Sequence, residues 1–213
     1  MPADLRSGTC KLLLTMPQLQ ERVINILKQP AQEWPVILQE PSDIAKLLKE
    51  YAAPLAAVPA ICQVLGMSVI GIPVLGTTIR VGMTRSLSTA IVSWVMQLAG
   101  AYIGALVIEK LAPTFQSQGD TLQALKLVVY SFTPVWVAGV LYLIPSLSPL
   151  VILAGLYAIY LFYLGLPVAM HTPSQQVIPY MVVSALVIIV VTVILGMITG
   201  AIAGSGMYGA GVF

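Results

Sequence analysis

Few side chains in this chain of 213 residues could do chemistry. His171 is the single histidine, and Cys10 and Cys62 are the two cysteines. One imidazole and two distant thiols cannot assemble a zinc shell, which needs three or four convergent ligands. Ala203-Gly204-Ser205-Gly206 places a serine among small residues, as hydrolases do. A serine nucleophile needs a base beside it, and the topology derived below puts His171 on the other side of a membrane. No glycine-rich phosphate loop follows a strand. Catalytic residues, metal ligands and cofactor sites are therefore not expected, and neither is enzymatic activity. The thiols of Cys10 and Cys62 fall in different environments and are not expected to pair; reversible acylation of Cys10 is the minor alternative. What remains is neutral and polar: Gln97, and the phenols of Tyr157, Tyr160 and Tyr163 at three-residue spacing along one side of a helix. Buried phenols need hydrogen-bond partners. These should face neighbouring helices or a wet, ligand-facing groove.

The elements that carry these residues are set by where charge is missing. After Lys126 the chain has no Asp, Glu, Lys or Arg to its end. Charged residues make up 8% of the sequence and hydrophobic ones 58%, against about 25% charge in a soluble domain. Five runs are apolar and free of Asp, Glu, Lys and Arg: 52–79, 87–108, 127–144, 147–170 and 177–203. Each approaches the ~20 residues that cross a bilayer as helix, and the third can start earlier if Lys126 snorkels to the interface. Backbone groups in lipid must be satisfied within the segment, so these runs are expected to be helices. Short connections such as Pro145-Ser146-Leu147-Ser148-Pro149 and His171-Thr172-Pro173-Ser174 make sequential helices antiparallel neighbours.

Lys and Arg collect on the cytoplasmic side. Eight of them (Arg6, Lys11, Arg22, Lys28, Lys46, Lys49, Lys110 and Lys126) fall on the side of the N-terminus, and two, Arg80 and Arg85, on the other. The N-terminus is therefore expected in the cytoplasm and the C-terminus outside. Tyr51, Tyr130 and Tyr180 mark inner boundaries; Tyr142 and Tyr208 mark outer ones. Trp94 and Trp136 fall deeper, as packing residues. The first residues are mixed polar, so no secretory signal is expected. A net charge of +2 gives no nucleic-acid footprint. Membrane lipids are the partner the composition implies.

Residues 1–51 form the polar tail. Leu19, Val23, Ile26 and Leu27 share one helical face, with Pro17 in the first turn and Pro30 as the stop. A second short helix is expected from an N-cap at Ser42, bracketed by Pro41 and Pro54. These helices either lie on the membrane surface or bundle base, or dock a cytoplasmic protein partner through the apolar face of the first.

Inside the bundle, small residues and polar side chains should mark helix contacts. One stripe is Ser93, Gln97, Gly100 and Gly104, and another is Thr192, Gly196, Gly200 and Gly204. Packing within the monomer and a homodimer seam are both open readings. Run one contains Pro59, Gly66, Gly71, Pro73 and Gly76, so its outer half is kinked or unwound. Run one, and Pro134 beside Thr133, carry two readings: plain kinks, or the broken helices that bind ions or substrates in transporters. Gly165 and Pro167 follow the tyrosines in span four, where core packing or a ligand-facing groove is expected.

Several segments resemble bacterial members of the Yip family. They are Ile26-Leu-Lys-Gln-Pro-Ala-Gln-Glu-Trp-Pro-Val-Ile, Tyr130-Ser-Phe-Thr-Pro134, the Ile144-Pro145 turn, and Tyr160-Leu-Phe-Tyr-Leu-Gly-Leu-Pro-Val-Ala-Met170. The last is the most specific, and the resemblance runs from about Leu19 to the fifth span. It implies five helices with a cytoplasmic N-terminus, in a bacterial inner membrane. Eukaryotic relatives bind Rab-type GTPases, take part in vesicle traffic or membrane shaping, and carry an acidic Asp-Leu-Tyr-Gly-Pro stretch. That stretch is missing here and the tail is short, so Rab binding is not carried over. The expectation is an all-α integral membrane bundle of five transmembrane helices with a short amphipathic N-terminal segment: residues 1–51 as tail, 52–213 as a Yip-type membrane domain. Its expected role is to scaffold partners or shape the bilayer without catalysis. A small channel or facilitator, using the broken first span and the span-four tyrosines, with Gln97 and Pro134 as helix-packing or pathway residues, is the alternative.

Overall fold

The computed structural model describes residues 16–74 and 77–205. Arg6, Cys10, Lys11, Gly76, Gly206 and Tyr208 lie outside the described residues. Among the described residues, five helices are long and apolar enough to cross a membrane, spanning Ile44–Ile70, Met83–Phe115, Thr121–Leu143, Pro145–Ala169 and Val177–Ala201. In chain order we label the helices α1 (Met16–Lys28), α2 (Pro30–Gln39), α3 (Ile44–Ile70), α4 (Met83–Leu111), α5 (Thr121–Ala138), α6 (Val151–Ala169) and α7 (Val177–Ser205).

The first span departs from the run 52–79. It starts eight residues sooner, at Ile44, and runs straight through Pro54 and Pro59 by way of widened turns at Leu48–Ala52 and Gly66–Ile70. The expected short helix after Pro41 is simply its first turns. Its N-cap is Asp43 rather than Ser42, with the carboxylate accepting from Lys46 N at 2.5 Å. The span ends where Gly71 takes φ 86°, a left-handed conformation that favours glycine. Beyond it, β1 (Ile72–Val74) and β2 (Thr77–Ile79) pair antiparallel, with Ile72 opposite Ile79. The apolar stretch after Gly71 is thus a hairpin, which hydropathy alone does not separate from helix.

α5 sits at the centre, in contact with α1, α2, α3, α4 and α6. Two-thirds of its apolar window is buried, 67%, against 6% for α7. Asp120 caps it, accepting from Gln123 N at 2.8 Å while the Gln123 side chain returns a bond to Asp120 N. Leu125, Leu127, Val128, Val129 and Trp136 fill the bundle axis. α7 packs chiefly on α4. Its 29 residues extend about 43 Å, more than the ~30 Å hydrocarbon layer.

Candidate functional site

The polar groups of this bundle concentrate at the end where α1 and α2 join it. α2 was not foreseen, because Pro30 looks like a stop. It is instead the first residue of a new helix, a position that needs no backbone donor. Every large side chain on one side of α2 is buried: Trp34 is fully so, and Ile37 nearly.

Trp34 explains Gly165. A Cβ placed on Gly165 would stand 2.5 Å from Trp34 Cε2 and 2.7 Å from Leu127 Cδ1. The glycine opens a slot between α5 and α6 that an indole from α2 fills. Trp34 meets Tyr130 edge-on, with ring centroids 6.3 Å apart, and Tyr130 packs on Tyr51 at 4.3 Å. The Tyr51 hydroxyl shares a 2.9 Å hydrogen bond with Thr133, next to the buried Pro134. One aromatic cluster thereby joins α2, α3 and α5.

Charged groups close over this cluster. Arg22 on α1 donates to the carboxylates of Glu33 and Glu40. Burial works against its charge, but Glu40 and Glu33 outweigh that cost and hold its pKa above the ordinary value. Lys126 turns into the protein. It is 4% exposed, and its ammonium donates to Ile37 O at 2.9 Å and Glu40 O at 2.7 Å. Ile37 O belongs to the last turn of α2 and Glu40 O to the residue that caps it, where carbonyls have no partner within the helix and carry the negative end of its dipole. Tyr157 acts in the same way on α1, donating to Leu27 O at 2.7 Å. Tyr157 stands about 18 Å along α6 from its end at Ala169. The corner between α1 and α2 therefore lies alongside the bundle, and the apolar face of α1 rests on the core through Leu19, Val23, Ile26 and Leu27. That face is taken up within the chain.

The other residues singled out by sequence separate into distinct places. Tyr160 and Tyr163 point outward, 48% and 42% exposed, so the three tyrosines do not line one buried side. Gln97 accepts from Trp136 Nε1 at 3.1 Å, a contact between α4 and α5. Gly100 and Gly104 pack against Leu195 and Ile188 of α7. Gly196 and Gly200 do not join that seam; a Cβ on either meets nothing within 4 Å. Pro167 lies in the last turns of α6, inside the helix. His171 is exposed, with φ 47° and Nδ1 3.3 Å from Gln118 O, in the loop before α7. Ser205 ends α7, so the full helix separates the two. Sequence reasoning missed Trp34, Lys126 and Tyr130 as one unit. The signal was a tryptophan between two prolines in an otherwise polar segment.

A family model described as the Yip1 domain matches residues 24–196. Two curated relatives, each named inner membrane protein YohC, come from Escherichia coli strain K12 and from strain O6:H1. Each is 26% identical to this chain over 162 residues, covering 72% of this chain and 81% of the relative. No solved structure matches.

Proposed function

This chain belongs to the Yip1 domain family, and from that premise we propose that it is a non-enzymatic scaffold of a bacterial inner membrane, one that presents a fixed platform to partners and shapes the bilayer around it. The observation that carries this reading is the built-in tail. α1 and α2 are held to the bundle by Trp34, Lys126, Tyr157 and the Arg22 ion pairs, so one end of the molecule contains two more helices than the other. Such a wedge widens one leaflet relative to the other. Amphipathic helices at an interface are sensitive to the same curvature. Glu21 and Lys28 on the outer face of α1 are exposed and offer the polar surface for a partner.

Lys46, Lys49 and Lys110 share the end that carries α1 and α2, which favours that end in the cytoplasm. The relatives' names favour an inner membrane. A channel is the weaker reading because α5 occupies the axis, with Val128 and Leu125 essentially unexposed.

Reconstituted liposomes test the choice. The scaffold reading expects no solute-selective flux, and vesicles whose size distribution shifts with protein density. Selective flux that disappears in Tyr160→Ala, in protein that still folds, would replace this reading with the facilitator.

A further inference from the structure

α5, α6 and α7 do not close on one another along their whole length. Between them lies a cleft of about 580 Å³. Phe132 and Val135 of α5, Leu156 and Phe162 of α6, and Ile189 and Val193 of α7 form its walls. Ser131 and Thr192 are the polar side chains among its lining residues. The Thr192 hydroxyl donates back to Ile188 O at 2.8 Å, and the Ser131 oxygen is buried without a hydrogen-bond partner. The rest of the lining is apolar, so the cleft offers little to water or to a headgroup. The floor includes Gly155, where a Cβ would meet nothing within 4 Å.

We infer that this cleft is a binding site for a single acyl chain of a membrane lipid. Its walls belong to the stretch without Asp, Glu, Lys or Arg, so it opens within the hydrocarbon layer. Acyl chains are the medium at that depth. Dispersion contacts with each wall accumulate when a chain enters and are forfeited across any gap. The cleft is too small to take up a whole helix from a second copy. A spanning helix about 10 Å wide and 30 Å long fills on the order of 2,000 Å³, several times this cleft. The volume instead falls in the range of about 300–1,000 Å³ usual for small-molecule sites. The exposed side of α7, with Gly196 and Gly200, is a separate surface and stays available to bulk lipid. The inference needs only that the bundle is embedded in a membrane; it does not rest on the scaffold reading.

The full chain in liposomes, doped with a phosphatidylcholine carrying a diazirine on one acyl chain, is irradiated and the labelled residues are mapped. Phe162 and Ile189 are expected to be labelled several-fold more than Leu153 and Val69, which are exposed apolar residues outside the cleft. Gly155→Leu, and independently Ala185→Phe, should bring cleft labelling down to the level of Leu153 while leaving Val69 unchanged. Uniform labelling that neither variant alters overturns the inference. So does a cleft shielded from the lipid label, which is what a second copy seated there would produce.

Discussion

The two ends of the bundle are held together by different chemistry. Where α1 and α2 join, polar atoms are aimed at one another: Lys126 and Tyr157 reach backbone carbonyls, Arg22 reaches two carboxylates, and Tyr51 reaches Thr133. Each contact has a direction and fixes a register. At the opposite end the chain relies on close approach without charge. A Cβ on Gly139 would stand 2.5 Å from Pro59, and one on Gly66 only 2.0 Å from the Tyr142 carbonyl. Arg80 and Arg85 are exposed there, and the far half of α7 is largely uncovered. In lipid, apolar helices gain little by leaving acyl chains for one another, whereas directed polar bonds and tight small-residue contacts do hold them. The polar end should therefore define the structure, and the apolar end should adapt to its surroundings.

Substitutions can break this comparison, and the largest effect is expected at Gly165. Gly165→Leu drives Trp34 out of its slot and releases α2; the loss should approach the 3–5 kcal/mol, roughly, of deleting a buried tryptophan. Thermal unfolding in detergent, with limited proteolysis between residues 30 and 39, reads it out. An unchanged midpoint would show that α2 is not part of the core. A smaller loss is expected for Lys126→Met, about 1–3 kcal/mol, because the last carbonyls of α2 lose their donors in a buried place. Faster proteolysis of α2 should accompany it, and full protection would mean that packing alone holds the helix. Smallest of all, Gly200→Leu should change monomer stability by less than about 0.5 kcal/mol, since its side chain enters open space. A loss comparable to that of Gly165→Leu would erase the contrast between the ends. A change of oligomeric state in the same variant would show that this face meets another copy.

The spans were legible because lipid imposes one rule, the absence of charge, over long stretches, and the seam at Gly100 and Gly104 was legible because helix contacts in lipid favour small residues. The hairpin after Gly71 was not, since apolar residues in a strand and in a helix score alike. Pro73 and the β-branched pair Thr77 and Thr78 were the local hints. Proline at position 30 suggested a stop because its fixed φ and missing donor are compatible with both ending and starting a helix. The pairing of Trp34 with Gly165 joins residues far apart in the chain, and neither carries a local mark of the other. Lys126 misled for a related reason. A lysine at the start of an apolar run ordinarily marks the water boundary, and nothing adjacent says that a helix end made long before it will receive its charge.

That last arrangement has a consequence for how the protein is made. Glu40 precedes Lys126 by 86 positions, so α2 has left the ribosome well before the lysine follows. The receptor for the cation is complete when the third span reaches the bilayer. A nascent chain deprived of residues 30–40 would present the same lysine to the translocon without a waiting acceptor, and the insertion of one helix would then depend on a segment that never itself crosses the membrane.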